Sequence, residues 1–458
     1  MVLGTRFPAR QNPTFRMKNP LRPEKILLAF GLVFGLIFLF LTPPFQVADE
    51  GVHFFRAYQT AQGELVDSTI PSSAVATAAK FNHLPFHPEK KTGYAEIVSL
   101  LSLPLEPQNT QRIPSIAYPP LAYLPQALGI RIGIFFELSP LSLMYLGRLF
   151  NLMVWLTLAG LAIRRTPIFK WLFCLLALSP MSLFEAASLS KDPLINGASF
   201  LLIASYFDAA FGARQRLRNR DLLGLFLLLL LASLPKSVYA VLGLLFLAVP
   251  VAKVGSRKKY FGYFFLTMAL LFAILLLGNY FFFHARPPSQ DFVEWRGRLH
   301  FILGHPIGFL EILARTLLKN GGEYLEMFVG VLGWLDTVLP EPVWIFYGVV
   351  SVVVALLEKD ADISVPRRAK LISLAALSLG ILAIMTTMYL ALPPQNGVIA
   401  GVQGRYFIPL APLFFLSLYN QRIRVESDFG GTLGKLVVLT ALVALIAASY
   451  AVYARYYL

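Results

Sequence analysis

The sequence predicts an all-α, polytopic integral membrane protein, and three observations carry that prediction. Of its 458 residues 57% are hydrophobic and 14% are Asp, Glu, Lys or Arg, where a soluble domain has about 25% charged residues. Leu-rich runs of about 18 residues or more, each long enough to cross a hydrocarbon core, recur along the chain. Clusters of Lys and Arg fall in alternate connections between those runs, as expected of loops held in the cytoplasm. A soluble enzyme, a disordered scaffold and a disulfide-stapled secreted protein are excluded. The single cysteine, Cys174, can form no internal disulfide. The net charge of +15 fits basic loops against anionic membrane lipids, with no nucleic-acid partner implied.

Residues 1–24 read as a basic cytoplasmic tail, in which Arg6, Arg10, Arg16, Lys18 and Arg22 alternate with prolines that oppose regular structure. Residues 25–458 read as one transmembrane domain. Its first span is the uncharged run Ile26 to Leu41, which ends in Thr42-Pro43-Pro44 without a small-residue cleavage pattern and so reads as retained. The basic tail then places the N-terminus in the cytoplasm. Further spans are expected near 140–163, 171–184, 194–210, 260–282, 340–357, 371–391, 406–420 and 433–454. The apolar stretch 222–252 is interrupted by Leu234-Pro235-Lys236-Ser237, and each arm is short for an ordinary span. A broken or tilted hairpin with its tip at Lys236 is expected there. Counted as two passes, it brings the total to about eleven transmembrane helices. Arg164, Arg165 and Lys170, then Arg214 to Arg220, Lys253 to Lys259, Lys359 to Lys370, and Arg422 with Arg424 all fall on the assigned inner side.

Two large outer loops remain, 43–139 and 283–339, which mix short apolar runs with Pro, aromatic and charged residues, as amphipathic juxtamembrane helices do. Trp295, Tyr324 and Trp334 suit an interface belt or carbohydrate stacking.

Candidate chemistry lies at outer span ends. Read as a helix, the segment after Pro44 puts Val47, Gly51, Phe54 and Tyr58 on an apolar stripe, and Asp49, His53, Arg56 and Thr60 on another face. Asp49 is either a helix cap or a reactive carboxylate, and Glu50 either complements the helix N-terminus or joins it. Asp192, just before Pro193, poses the same choice. Lys236 either snorkels to a headgroup or contacts a phosphate. Arg405, in Gln403-Gly404-Arg405-Tyr406, suits bidentate binding of phosphate, carboxylate or a lipid headgroup. Two carboxylates and two cations at the membrane edge on one side are costly enough to mark a site. Pro85 separates His83 from His87 and removes the helical face that a metal pair would need. No Walker loop, dinucleotide-binding turn or Gly-x-Ser-x-Gly elbow occurs, so any sugar chemistry must draw its donor from the membrane.

Asp49-Glu50 followed by His53-Phe54, Ala57 and Gly63-Glu64-Leu65 resembles the acidic first-loop motif of C-type (GT-C) glycosyltransferases, polytopic enzymes that use polyprenyl-phosphate sugars. Tyr118-Pro119-Pro120-Leu121-Ala122-Tyr123, then Gly147-Arg148-Leu149, is similar to their Pro-Pro-Leu helix and the Arg-Leu span after it. Ser190-Lys191-Asp192-Pro193-Leu194 resembles the second acidic motif, and Leu234-Pro235-Lys236-Ser237 the short hairpin tip. Gly333-Trp334-Leu335-Asp336 and Gln403-Gly404-Arg405-Tyr406-Phe407 further resemble motifs of an uncharacterised bacterial membrane family placed in that clan. The resemblance covers about residues 25 to 420, with one departure: Gln46-Val47-Ala48 separates Pro43-Pro44 from Asp49.

The resemblance implies a GT-C-like bundle in a bacterial plasma membrane that transfers a sugar from a polyprenyl phosphate, such as undecaprenyl phosphate, to an acceptor hydroxyl on the outer face. The acceptor would be a glycan, lipid or protein of the cell envelope. Asp49 would be the general base, with Glu50 sharing that role or raising its neighbour's pKa. Asp192 would orient the acceptor or a divalent metal ion such as Mg or Mn. Lys236, Arg405 and Arg148 would hold the departing lipid phosphate. His53, Arg56, Tyr118, Gln403, Tyr406 and Asp336 complete the implied substrate-binding set. The rival classes are a transporter or flippase of lipid-linked saccharides and a non-catalytic assembly subunit.

Overall fold

The computed structural model describes residues 21–64, 68–113, 119–284, 290–360, 362–421, 423 and 429–458. Helix α1 (Pro23–Leu41) has proline at its first position, where the missing N–H costs no hydrogen bond. Gly31 and Gly35 lie one turn apart on its buried face. A Cβ on Gly35 would come within 2.6 Å of Leu152 Cδ1, and one on Gly31 would overlap Leu156, so the two glycines let α1 approach α6 (Pro140–Arg165) closely. Between these helices run α2 (Glu50–Ala61), an antiparallel ribbon of β1 (Ser68–Pro71) and β2 (Thr110–Ile113), two short helices α3 (Ser72–Ala79) and α4 (Tyr94–Ser99) within it, and α5 (Leu124–Phe135). Helix α5 packs on both α2 and α6.

The centre of the molecule is α7 (Lys170–Ala177), α8 (Pro180–Ala186) and α9 (Asp192–Phe211), and every residue from 171 to 200 is buried. The sequence predicts one span over 171–184, and here the structure differs. Ser179 accepts the Ser182 N–H at 3.2 Å and Pro180 occupies a first helical position, so a new helix starts mid-run. Protein surrounds this break, which is what makes irregular backbone tolerable in an apolar core.

Helix α10 (Asn219–Ser233) ends at the expected interruption and continues as a 3-10 helix over Ser237–Ala248, far longer than the usual single turn. After the one-turn α11 (Val251–Val254) come the peripheral α12 (Arg257–His284), α13 (Gln290–Gly304) and α14 (Pro306–Val329). A tight ribbon of β3 (Val331–Leu332) and β4 (Thr337–Val338) precedes α15 (Glu341–Leu357) and α16 (Arg367–Ala391). A 3-10 turn, Gly404–Leu410, then leads into α17 (Ala411–Leu418), and α18 (Phe429–Tyr457) closes the chain.

Six described helices are long and apolar enough to cross a membrane: Pro23–Leu41, Pro140–Arg165, Asp192–Phe211, Arg257–Gly278, Arg367–Ala391 and Gly431–Tyr457. Other expected spans are built from shorter pieces, among them Ser237–Ala248, Glu341–Leu357 and Gly404–Leu418. In the segment expected as the second outer loop, Glu294–Gly304 and Pro306–Val329 meet at a 104° bend and together are apolar enough for a broken span or a re-entrant loop. Their apolar character is hard to see in sequence because Glu311, Arg315, Lys319 and Glu323 share α14 with a buried stripe of Phe309, Thr316 and Tyr324.

Gly404 sits where the 3-10 turn crosses α14. A Cβ there would overlap the backbone of Tyr324 and Phe328 and lie 2.7 Å from Met327 C, so no side chain fits. Gly404→Ala is therefore expected to cost at least the upper end of the about 1–3 kcal/mol typical of overpacking. A thermal shift of the detergent-purified variant reads it, and an unchanged melting temperature would contradict this packing.

Candidate active site

The site begins with a backbone feature. Asp49 is the residue before α2 and has φ +60°, ψ +12°, in the left-handed region that Asp tolerates better than most side chains. A capping Asp takes an extended backbone and bonds the first amides, whereas the Asp49 side chain makes no capping bond and is exposed. Two bulkier residues, Phe45 and Leu335, adopt the same conformation. Phe45 (φ +63°) is buried against Phe54, and its carbonyl accepts from Trp334 Nε1 at 3.4 Å. Leu335 (φ +63°) follows in the same turn as Trp334. Backbone strain at a non-glycine residue persists only where surrounding contacts over-determine it, and such positions gather at functional sites.

Asp49 borders a cavity of about 550 Å³. Its lining comes from the starts of α2 and α9, the C-terminal halves of α12 and α16, the break after α10 and the start of the 3-10 turn at Gly404. One side is charged, with Asp49, His53, Lys191, Asp192, Lys236 and Arg405. The other is apolar, with Leu234, Val238, Leu275, Ile384 and Met388. A charged head beside an apolar wall suits an amphipathic ligand.

Each charged group is fixed by a specific contact. Asp192 pairs with Lys236 Nζ at 2.8 Å, and that ammonium lies 4.5 Å from the Tyr406 ring centroid. Tyr406 is held through its carbonyl, which accepts from Tyr239 OH at 2.9 Å. The loop before Asp192 is pinned by Gln126 Nε2 to the Ser190 carbonyl and by Asn151 Nδ2 to the Ser188 and Ser190 carbonyls, each at 2.8 Å. Arg405 is ion-paired through Nη1 to buried Glu185. His53 Nδ1 lies 2.7 Å from Tyr123 OH. Burial, with Lys191 next, holds the His53 imidazole well below its usual range and so neutral at pH 7. Burial also pulls the Lys191 ammonium down to about 7, against the attraction of Asp192.

The structure thus brings Asp49, His53, Asp192, Lys236, Arg405 and Tyr406 to one cavity. It places other expected site residues elsewhere. Glu50 and Arg148 form a fully buried bidentate pair, Nε to Oε1 at 2.8 Å and Nη2 to Oε2 at 2.6 Å. Arg148 also donates to the Leu39, Thr42 and Pro43 carbonyls, and Glu50 Oε1 accepts the Leu189 N–H at 3.1 Å. Their hydrogen-bonding capacity is spent joining the end of α1 to α2, α6 and the loop before α9. Arg56 is buried outside the cavity lining, with Nη1 3.5 Å from Gln59 Oε1. Asp336 pairs with Arg455 at 2.7 Å and caps its own turn through the Trp334 N–H. Gln403 borders a separate small cavity behind Arg405. Tyr118 lies outside the described residues, next to Pro119, which does line the main cavity.

Lys191 and Glu185 are site residues that motif reading passes over. Lys191 hides beside the more conspicuous Asp192, and Glu185 ends what reads as an apolar span. Among the described residues no three His, Cys, Asp or Glu side chains gather as donors for a metal ion, and Asp192 is already held by Lys236. These residues do not fit a resident divalent cation.

Fold and site together define a polytopic helical membrane protein with a charged cavity among its helices. The chain belongs to the family described as Predicted membrane protein (DUF2142), whose profile matches residues 32–414. No curated protein matches it. A solved structure, the S. cerevisiae protein O-mannosyltransferase Pmt1–Pmt2 complex bound to the sugar donor, is similar over 60% of this chain at 14% identity and a TM-score of 0.31. This chain spans only 35% of that chain's length.

Proposed function

We propose that this protein is a membrane glycosyltransferase that moves a sugar from a polyprenyl phosphate to an acceptor hydroxyl on the outer face of a bacterial plasma membrane, in the synthesis or modification of a cell-envelope glycan. The observation that carries the reading is Asp49: an exposed carboxylate, without a capping bond, on a strained backbone, lining the same cavity as Lys236 and Arg405. Asp49 takes the acceptor proton as the hydroxyl oxygen attacks the anomeric carbon, a role worth about 10²- to 10⁴-fold. The anomeric carbon–oxygen bond breaks and its electron pair leaves on the phosphate. Lys236, half-buried, and Arg405, buried, stabilise that growing charge. Attack opposite the leaving group inverts the anomeric centre. The apolar wall takes the first isoprene units. No step is routed through a metal ion.

Mass spectrometry of surface glycans and lipid-linked sugars tests this in wild type, a deletion strain and a strain carrying Asp49→Asn. Both mutants are expected to lose the same sugar from one glycan and to accumulate its polyprenyl-phosphate donor. If Asp49→Asn matches wild type while the deletion does not, Asp49 is no base. A transporter would instead leave the donor on the wrong leaflet with no dependence on Asp49.

A further inference from the structure

Two buried Arg–carboxylate pairs among the described residues are built differently. In Arg148–Glu50 both carboxylate oxygens are bonded and the guanidinium reaches three carbonyls. In Arg405–Glu185 one nitrogen meets one oxygen. Glu185 Oε2 and Arg405 Nε have no hydrogen-bond partner among the described residues, and neither has Gln403 Oε1. Glu185, Arg405 and Gln403 all border a chamber of about 10 Å³, the space of one water, walled by the Gly333–Leu335 turn. Arg405 is the partition: it lines this chamber on one side and the main cavity on the other. Glu185, by contrast, lines only the chamber. Its carboxylate therefore acts on the main cavity through Arg405, at low dielectric and without touching a ligand there.

Around the main cavity Lys236 and Arg405 face Asp49 and Asp192, and Glu185 stands behind Arg405. Lys191, its ammonium pulled down to about 7, is largely neutral at pH 7.5, so the cations leave no excess positive charge there. The proposed reaction changes the charge of the lipid phosphate. A sugar phosphodiester carries one negative charge. When the anomeric C–O bond breaks, the electron pair stays on phosphate oxygen, and the monoester product is largely dianionic at pH 7.5, its second pKa being about 6.

We propose that Glu185 is a specificity-determining residue that sets this site to hold a monoanionic lipid phosphodiester in preference to a dianionic phosphomonoester, so that the product is released rather than retained. The inference rests on the lipid-phosphate donor reading above. It gives the Gly333-Trp334-Leu335-Asp336 turn a role as well: the turn walls the chamber from which Glu185 acts, and Asp336 anchors it to Arg455 of α18.

The test uses the full-length protein in nanodiscs at pH 7.5 and two probes of one chain length, undecaprenyl phosphate and its methyl diester. Wild type is expected to prefer the diester. Glu185→Gln keeps the shape and removes one negative charge, so both probes should bind more tightly, by about 5-fold for the diester and about 25-fold for the monoester, because Coulomb energy scales with ligand charge. Gln403→Glu adds a charge to the same chamber and should move both affinities the other way, which carries the test if Glu185→Gln does not fold. The double variant exchanges the charged and neutral side chains across the chamber and should restore the wild-type preference. If Glu185→Gln weakens both probes alike, or Gln403→Glu leaves the ratio of the two affinities unchanged, Glu185 is only a structural brace and the proposal fails. If wild type binds neither probe, the donor reading itself fails and takes this inference with it, a result distinct from the first two.

Discussion

Arg148→Met should fail to accumulate as a folded membrane protein. The substitution leaves Glu50, fully buried, with the Leu189 N–H as its remaining bond, and strips the Leu39, Thr42 and Pro43 carbonyls of their shared donor. Removing one member of a buried pair costs about 3–5 kcal/mol because the other charge is stranded, and each carbonyl left without a donor adds to that, although Pro43 keeps the Gln46 N–H. Against a total stability of about 5–15 kcal/mol this is enough to unfold a marginal protein. Glu50→Gln should be milder, since an amide still accepts from Arg148. The double change Glu50→Met with Arg148→Met should recover part of the loss, because no charge is left unpaired. Membrane yield and melting temperature in detergent read all three. The same experiment decides between a brace and the phosphate-binding role expected for Arg148 from sequence. A phosphate ligand would leave yield and melting temperature intact in Arg148→Met and remove only donor binding.

That contrast shows what is legible in the sequence and what is not. The all-α membrane class follows from hydropathy and charge, and the helix break at Leu234–Lys236 follows from a proline beside a lysine in an apolar run. Residues that draw notice as rare charges at span ends, Asp49, Asp192, Lys236 and Arg405, do line one cavity. Pairing is the part that stays hidden. Glu50 and Asp49 are adjacent and chemically alike, yet one backbone residue in the left-handed region sends Asp49 into the cavity while Glu50 turns to Arg148, 98 positions away. Asp336 reads as a site carboxylate until Arg455, far along the chain, is seen to hold it. Glu185 goes unassigned because its partner Arg405 lies 220 positions further on. Where an apolar run breaks is hidden for a related reason. A length-and-hydropathy reading cannot tell a run that meets lipid from one that meets protein, and 171–186, buried throughout, is free to break into the short helices α7 and α8.

Asp49→Asn and Lys236→Met should separate the chemical step from donor binding. Asn is isosteric with Asp and tolerates the same left-handed backbone, so α2 and its neighbours keep their packing. What is lost is the only described carboxylate of the cavity that no cation or amide already holds, since Asp192, the other one, is paired with Lys236. The transfer rate, followed with the donor that accumulates in the deletion strain, should fall by about 10²- to 10⁴-fold in kcat with donor KM nearly unchanged. Lys236→Met acts at the other end of the reacting bond. It removes a cation aimed at the phosphate and leaves the Asp192 carboxylate facing that phosphate without its partner, so repulsion replaces attraction. Donor KM should rise about 10- to 100-fold, the range of one buried charge-assisted contact, and kcat should fall as well because the leaving group is no longer stabilised. The order of effects is the discriminating result. If Asp49→Asn raised donor KM and left kcat alone, its carboxylate would be a binding group, and Asp192, released from Lys236 when the phosphate arrives, would become the base to test. If Lys236→Met changed neither constant, the phosphate would lie elsewhere, and the charged side of this cavity would have to be reassigned to the acceptor.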